Sequence, residues 1–349
     1  MRLITLIGCI GFAISAVASS NNLDAALRAR VKESAKRFFE EEKVLALTVK
    51  TDFTALRHER DRVSNDYHPA TVIVKEGNDS IVLPVKIKTR GNFRLKAEHC
   101  DFPPLRFNFK KRDVLNTVFE GQDKLKLVTH CRDTSAAMQQ TMLREYLVYK
   151  LYNQISDYSL RVRLVKVRYV DINYGWELEK YAFFIESVDQ MAQRMGVEEV
   201  EMANLTQQQL LQNNAVSLAL FNYMIGNTDW SIPKLHNVKL FRSNRHNPPI
   251  AVPYDFDMSE FVGACYMQFY MGRELHECRY KGKRVTKDAL EQAIAHYESV
   301  KKDLQNVILN FPYLDLQHKQ ECLTIIDTFY DVLANKQVWR RVFIAEALK

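Results

Sequence analysis

The sequence has little glycine, and its glycines are not grouped into a phosphate-binding loop. Glycine accounts for only 11 of the 349 residues. The turn predicted at Glu76 to Ser80, between two strands, contains a single glycine, Gly77. This scarcity excludes, at that turn, a glycine-rich loop of the kind that binds nucleotide phosphates in many proteins.

Other features that would assign the chain to a common class are also missing. No internal repeat or low-complexity segment is present, which argues against a repeat architecture. The cysteines lack the paired spacing of zinc sites. The net charge is +7, but lysine and arginine are dispersed and form no dense basic tract, so nucleic acid is not indicated as a partner. The mild positive charge favours anionic partners such as nucleotides or acidic proteins.

The N-terminus has the pattern of a secretory signal peptide. Arg2 precedes an apolar run from Leu3 to Val17, and Ala16-Val17-Ala18 is a small-x-small cleavage sequence. We predict a signal peptide over residues 1–18, with an uncleaved anchor as the alternative. No later apolar run is long enough to span a membrane. The predicted location is therefore secreted or periplasmic, with no membrane span after cleavage.

Export gives the cysteines a structural meaning, because an oxidising compartment permits disulfides. Cleavage after residue 18 leaves five cysteines. Cys100 and Cys131 both lie where a polar connection meets a predicted strand, and we predict that they are bonded. Cys265 with Cys278 is a weaker pair. Cys322 lies in a helical pattern and is predicted to be buried and free.

Hydrophobic periodicity changes along the chain. The front half is rich in strands and the back half in helices. Strands are predicted at 44–49, 70–75, 81–89, 105–110, 125–129, 160–171 and 176–186, and helices at 21–43, 136–155, 206–225, 287–309 and 316–347. This order predicts an α+β fold with two lobes, residues 19–188 and 189–349, and a cleft between them.

Acids and an amide cluster at the ends of elements in the back half. Asp229 and Asn237 flank one loop, and Asp255 and Asp257 follow a predicted strand. Oxygen ligands of this kind suit magnesium or manganese. Metal ligands together with one carboxylate that receives a proton are what phosphoryl transfer requires. The alternative is structural, because Asn and Asp are also common in turns.

Two predicted strands carry rows of cations. Lys88 lies on the polar face of one strand and Arg106 on the polar face of the next. The other face of each strand is apolar. A solvated charged surface is one interpretation, and a cationic face over a phosphate-binding cleft is the other. Glu145 is the only acid of the helix predicted at 136–155. If a strand cation paired with Glu145, the pair would position that cation for a ligand.

Taken together, these motifs resemble the CotH-type branch of the protein-kinase-like fold, a group of atypical kinases. The resemblance covers Val85 to Phe261. It rests on Arg90-Gly91-Asn92, the capped helix after Asp133, Phe184-Ile185-Glu186-Ser187, Asp229 with His236-Asn237, and Pro253-Tyr254-Asp255-Phe256-Asp257. Gly226-Asn227-Thr228-Asp229 more distantly resembles the catalytic loop of HipA-like enzymes.

The resemblance implies a two-lobed protein-kinase-like fold and roles for the acids. Asp229 would be the catalytic residue that orients or deprotonates the acceptor. Asn237 and Asp255 would bind the metal, with Asp257 in support. If these acids meet without a metal, they should be crowded, lack basic partners of their own, and include at least one with a raised pKa.

The resemblance also implies a nucleotide site. Glu145 would pair with a strand cation over the phosphates, and Lys88 and Arg106 are both candidates for that cation. Glu186 would lie in the hinge beside the adenine. The implied cofactors are ATP or another nucleotide, with Mg²⁺ or Mn²⁺.

The leading functional hypothesis is a secreted or periplasmic kinase-like phosphotransferase whose acceptor, a protein or a small molecule, is unknown. One alternative is a non-catalytic envelope-associated binding protein on the same fold, which a location poor in ATP would favour. The other is a metal-dependent phosphohydrolase that uses Asp229, Asp255 and Asp257 without a nucleotide.

Overall fold

The structure is a computed structural model that describes residues 25–60, 66–76, 79–264, 280–282 and 286–345. The predicted signal peptide, the weaker cysteine pair and two residues of the turn near Gly77 lie outside the described residues. Within the described ranges, no helix is both long and apolar enough to cross a membrane.

The fold is α+β, as predicted. The strands are β1 (Leu45–Thr51), β2 (His68–Glu76), β3 (Asp79–Thr89), β4 (Leu105–Phe109), β5 (Lys124–Val128), β6 (Val162–Asp171), β7 (Glu177–Ile185), β8 (Glu198–Glu199), β9 (Val238–Arg242) and β10 (Ile250–Pro253). The helices are α1 (25–40), α2 (Phe53–His58), α3 (Ala136–Ile155), α4 (Val188–Met195), α5 (Gln212–Met224), α6 (Lys287–Leu309), α7 (Leu316–Ala334) and α8 (Lys336–Arg340).

The first seven strands form a closed barrel in the order β1-β2-β3-β4-β5-β7-β6. Closure depends on β6, which pairs antiparallel with β7 and parallel with β1. The apolar residues of each strand alternate with polar ones and point into the barrel. Ile87, Phe107 and Phe184 are among the fully buried side chains of this interior. The sequence did not predict closure, because the β1–β6 pairing joins strands that are far apart in the chain.

The buried hydrophobic residues form two clusters. One fills the barrel. The other joins α3 to the helices and the small β10-β9-β8 sheet of the back half. The sequence-based division at residue 188 into two lobes stays a prediction.

α3 is capped within the segment that follows Asp133, as predicted. The cap is Ser135, whose hydroxyl accepts a hydrogen bond from the Met138 N–H at 3.2 Å. Asp133, from which the capped segment was predicted to begin, instead binds His130 at 2.9 Å and Arg57 at 2.7 Å. The bounds of α3 match the predicted helix, and its inner side brings Glu145 and Tyr149 to the candidate site.

Two predicted helices are interrupted in the structure. The helix predicted over 206–225 begins as a separate 3₁₀ turn, Gln207–Gln209, before α5. The helix predicted over 316–347 breaks at Asn335, whose side chain accepts hydrogen bonds from Gln337 N at 3.1 Å and Val338 N at 3.2 Å. Asn335 therefore caps α8, since asparagine is one of the preferred N-cap residues.

The predicted disulfide is present. Cys100 and Cys131 are bonded, and their Cα atoms are 4.7 Å apart. Both residues are buried. Cys322 is buried and free, as predicted. The bond joins the β3–β4 loop to the segment between β5 and α3.

Removing this disulfide should lower the free energy of unfolding. In the chain-entropy model a loop of about 30 residues is worth roughly 3–4 kcal/mol. We expect the double variant Cys100→Ala/Cys131→Ala to lose about this amount in urea unfolding. Wild type treated with a reductant serves as the matched comparison, and the variant itself should not respond to the reductant. Equal midpoints for oxidised wild type and the variant would contradict the prediction.

Candidate functional site

The loop after α5 is built to present Asp229. Gly226 has φ +64°, and a Cβ there would lie 2.5 Å from the Glu260 Cβ, so only glycine fits. Asn227 Oδ1 accepts a hydrogen bond from the Asp229 N–H at 3.0 Å. Asn227 Nδ2 in turn donates to Asn222 Oδ1 at 2.8 Å. These buried contacts fix the backbone that carries the Asp229 carboxylate.

Both carboxylate oxygens of Asp229 have partners from the other end of the same loop. His236 Nε2 lies 2.7 Å from Asp229 Oδ1, and Asn237 Nδ2 donates to Oδ2 at 3.0 Å. Asn237 Nδ2 also donates to the Asp229 carbonyl at 2.8 Å. The loop is closed by an antiparallel bridge between Ser231 and His236. The Asp229 side chain is 35% exposed, so an acceptor can reach it.

Asp255 lies next to this pair because of the β9–β10 ladder. Pro253 at the end of β10 pairs with Val238 at the start of β9. One residue further, the Tyr254 N–H donates to the Asn237 carbonyl at 3.0 Å. The structure therefore brings Asp229, Asn237 and Asp255 to one place, as the sequence predicted.

Two of these residues have the unusual left-handed backbone conformation. Asn237 has φ +52° and Asp255 has φ +62°. Asn and Asp adopt this conformation more readily than other non-glycine residues, but it still costs energy. The Asp255 N–H donates to the Tyr149 hydroxyl of α3 at 3.0 Å, which helps to hold it. Such conformations cluster at functional sites.

Glu145 has a different partner from the one expected. Arg94, in the loop after β3, donates from Nη2 to Glu145 Oε2 at 2.9 Å. Its Nε lies 3.2 Å from Asp257 Oδ2. Glu145 is only 1% exposed and Arg94 is 8% exposed. The expectation that Glu145 pairs with Lys88 or Arg106 is therefore wrong. The expectation that the acids lack basic partners is also wrong, because Asp257 shares Arg94.

One face of the barrel carries a row of cations that extends across three strands. Lys88 of β3 pairs in register with Arg106 of β4, and Arg106 pairs with Lys126 of β5. Paired residues of neighbouring strands share one face of a sheet. All three side chains are half-buried. Lys126 Nζ lies 5.9 Å from the centre of the Tyr254 ring, and Arg90 follows β3 at the end of the same row.

The two other nucleotide-site candidates, Lys88 and Glu186, make contacts with residues outside the group of acids. Lys88 Nζ lies 5.0 Å above the Tyr67 ring. Glu186 follows β7 and is buried, and its carboxylate binds Arg194 at 3.0 Å and the Arg161 N–H at 3.0 Å. The Glu186 side chain is therefore committed to structure. Its assignment to a nucleotide hinge stays a prediction that concerns the backbone.

Two acids at the site, Glu145 and Asp255, have raised pKa values. Burial, together with the Asp257 and Asp255 carboxylates, raises the pKa of Glu145 to about 7 against the opposing effect of Arg94. Burial and the Asp257 carboxylate raise the pKa of Asp255 to about 6. Because the Asp255 side chain is exposed, repulsion from the Asp257 carboxylate explains the raised pKa better than burial does.

Two cations near these acids, Lys126 and Arg90, have lowered pKa values. Burial, with Arg90 and Arg106 nearby, lowers the pKa of Lys126 to about 8, while Asp255 opposes the shift. Burial also lowers the pKa of Arg90, and Asp255 again opposes it. Like charges held together in a partly desolvated place are unfavourable until an anion binds among them. The arrangement is chemically suited to a ligand with several negative charges.

The number of acids available to a metal is small. Within the described ranges, no three His, Cys, Asp or Glu side chains are grouped so that they could hold a metal ion. The Asp257 carboxylate is shared with Arg94, whereas the Asp255 side chain is exposed. The roles assigned to these residues from the sequence stay predictions.

Sequence reasoning missed three residues of the site. Arg94 gives no local signal, because it lies in an irregular loop whose partners are distant in the chain. Lys126 could have been found, since it alternates with Leu125 and Leu127 as Lys88 does with its neighbours. His236 belongs to one of the motifs, but its contact with Asp229 depends on the turn between them.

No protein-family model and no curated protein matches the sequence. Among solved structures, the chain is similar to the Golgi casein kinase with Mn/ADP bound, at 9% identity and a TM-score of 0.36, over 70% of this chain and 72% of that one. A second structure of the Golgi casein kinase gives 10% identity and a TM-score of 0.31, over 70% and 73%. Similarity this low assigns no activity to the chain, so the geometry of the site must support any function proposed for it.

Proposed function

We propose that the protein is a kinase-like phosphotransferase of the CotH type, secreted or periplasmic, that uses a nucleotide and a divalent cation. Its acceptor is a protein or a small molecule of unknown identity. One set of contacts carries the proposal. Asp255 acts electrostatically on Arg90 and Lys126 of the cationic row, and the preceding residue, Tyr254, is hydrogen-bonded to Asn237, which binds Asp229.

The cationic row supplies the phosphate-binding groups. Arg106 helps to lower the pKa of Arg90, and both arginines help to lower the pKa of Lys126. Asp255 opposes both shifts. The phosphates of a nucleotide would supply negative charge that balances the positive charge of these side chains. Charge-assisted hydrogen bonds from arginine to phosphate are among the stronger polar contacts. Side chains thus take the place of the missing glycine-rich loop.

The oxygen ligands fit a magnesium or manganese ion. Both acceptors of the Asn237 NH₂ group are oxygens of Asp229, so the amide oxygen lies on the other branch of the side chain. That oxygen and the Asp255 carboxylate are hard ligands, and magnesium is commonly held by one or two protein carboxylates plus phosphate oxygens. When bound, the ion would neutralise phosphate charge.

Asp229 is placed to receive the acceptor's proton. His236 and Asn237 hold its two oxygens in a fixed orientation, and the side chain remains partly exposed. A positioned carboxylate within hydrogen-bond reach of a hydroxyl can act as a general base. The chain's own residues therefore divide the work between phosphate binding on the barrel and proton transfer at the loop.

Calorimetry with ATP and ADP, each with and without Mg²⁺ or Mn²⁺, tests the proposal. We expect binding that requires the divalent ion. The matched control is Asp331→Ala, which removes an exposed acid on α7 and should bind as wild type does. Absence of nucleotide binding under all conditions would favour the non-catalytic binding protein. Phosphoester hydrolysis that needs metal but no nucleotide would favour the phosphohydrolase.

Nucleotide affinity should fall as the pH rises through about 8. The pKa of Lys126 is lowered to about 8, so its charge is present below that pH and lost above it. If only the charged form binds phosphate, the apparent Kd should rise about tenfold between pH 7 and pH 9. Calorimetry across this range measures the effect.

A variant pair isolates the contribution of Lys126. Lys126→Met should weaken binding at pH 7 by roughly 10-fold or more, since a hydrogen bond to a charged group is worth about 1.5–3 kcal/mol, and should flatten the pH dependence. Lys124→Met removes an exposed lysine from the same face of β5 and should do neither. A pH profile unchanged by Lys126→Met would contradict this assignment.

A further inference from the structure

Arg94 carries a buried positive charge that joins two acids of the site. Its guanidinium lies 2.9 Å from Glu145 Oε2 and 3.2 Å from Asp257 Oδ2. A charge this deeply buried is tolerated only when it is paired. Arg94 thereby fixes α3, which bears Glu145, relative to the loop after β10, which bears Asp257 and Asp255.

The loop that presents Arg94 has little regular structure of its own. It spans residues 90–104 between β3 and β4 and contains one 3₁₀ turn. Inside it, the Phe93 ring stacks on His99 with centroids 3.8 Å apart. From outside, Arg60 Nη1 donates to the Cys100 carbonyl at 2.7 Å. The loop forms no strand ladder, and its only β-pairing among the described residues is the isolated bridge from Phe102 to Cys131. Side-chain contacts and the disulfide therefore contribute strongly to its position.

The disulfide ties this loop to the start of α3. Cys131 lies in the segment between β5 and α3, and its carbonyl accepts a hydrogen bond from the Phe102 N–H at 2.9 Å. Cys100, on the other side of the bond, belongs to the same loop as Arg94. One covalent bond therefore connects the loop that carries Arg94 with the segment that leads into the helix carrying Glu145.

We propose that Arg94 is the positioning residue of the nucleotide–metal site and that the Cys100–Cys131 disulfide holds it there. The proposal rests on the proposed function, since it names what organises that site. Arg94 acts through Glu145 and Asp257 and need not touch the nucleotide. The site is then complete only after two thiols have given two electrons and two protons to a disulfide oxidant, and a dithiol reductant reverses the step.

A double-mutant cycle tests the proposal, with ADP and Mn²⁺ as the calorimetric probe. Arg94→Met and the pair Cys100→Ala/Cys131→Ala should each weaken binding by about tenfold, as loss of a supporting contact around a metal site typically does. Combined, they should cost little more than either alone, because both act on the same contact. Arg94→Lys keeps the charge and should recover part of the affinity. Arg112→Met, an exposed arginine paired with Asp113, is the control and should bind as wild type does.

Each outcome decides a different point. Unchanged affinity in Arg94→Met overturns the positioning role. Multiplicative losses, about 100-fold in the combined variant, would show that the disulfide acts independently of Arg94 and overturn the link. Near-ultraviolet circular dichroism must show each variant folded, and if the cysteine variant is not, wild type titrated with a dithiol reductant replaces it. A wild type that binds no ADP contradicts the proposed function itself, which separates the two failures.

Discussion

Asp255→Ala is expected to abolish metal-dependent nucleotide binding and to leave the fold intact. The substitution removes the carboxylate that we propose as a metal ligand, which is also the acid that acts on Arg90 and Lys126. We expect affinity for ATP in the presence of Mg²⁺ to fall on the order of 100-fold or more, the upper range for losses at metal sites. Calorimetry with and without the ion measures the loss directly.

Stability provides a second readout at this position, with a definite sign. The pKa of Asp255 is raised to about 6 from an ordinary value of 3.8. A raised pKa means that the folded chain favours the protonated form, so the contribution of this group to stability is complete below pH 3.8 and is lost as pH rises through about 6. At pH 7 the ionised Asp255 therefore opposes folding. Alanine tolerates the left-handed backbone of this position less well than aspartate. The stability readout therefore uses Asp255→Asn, which removes the charge and should not lower the melting temperature.

Two comparisons make the result interpretable. Asp331→Ala, at an exposed position of α7, should match wild type in both binding and stability. Asp257→Asn should weaken binding less than Asp255→Ala, because the Asp257 carboxylate is shared with Arg94. Equal nucleotide affinity in wild type and Asp255→Ala would refute the kinase interpretation and leave a binding scaffold as the better description.

Features with local signals could be predicted from the sequence. The bounds of α3 follow from a capping serine and a long helical pattern, and they agree with the structure. The bond between Cys100 and Cys131 was predicted from two cysteines next to predicted strands, together with the expectation that the chain is exported. Asn237 and Asp255 are neighbours because β9 and β10 are antiparallel, so that the start of one strand lies beside the end of the other.

Features that depend on distant pairings could not be predicted. Barrel closure requires β1 to pair with β6, and the sequence of neither strand indicates which strand it pairs with. Glu145 was assigned a cation from a strand, but its partner, Arg94, belongs to an irregular loop. Register decides such contacts, and periodicity alone shows only which face a strand residue occupies.

Glu186 shows a different limit. Its position after β7 suggested a role beside a nucleotide, but its carboxylate is bound by Arg194 from the next helix. A buried acid must be paired, and the sequence offers several arginines within reach of it. Only the fold reveals which one is used, so residue type and position at a strand end do not separate a structural ion pair from a ligand-binding acid.

Asp229→Asn is expected to remove phosphoryl transfer while leaving nucleotide affinity within about twofold of wild type. Asparagine has nearly the same shape and keeps one oxygen for His236 or Asn237, but it cannot receive a proton. Loss of a positioned general base typically costs 10²–10⁴-fold in rate. Because the acceptor is unknown, the measurement is ADP release from ATP with Mg²⁺, which reports transfer to water or to the protein itself. The same variant is titrated with ADP by calorimetry, and Asp331→Asn is the matched control. ADP release at the wild-type rate would show that Asp229 is not the base, whereas loss of ADP binding would place Asp229 in the nucleotide site.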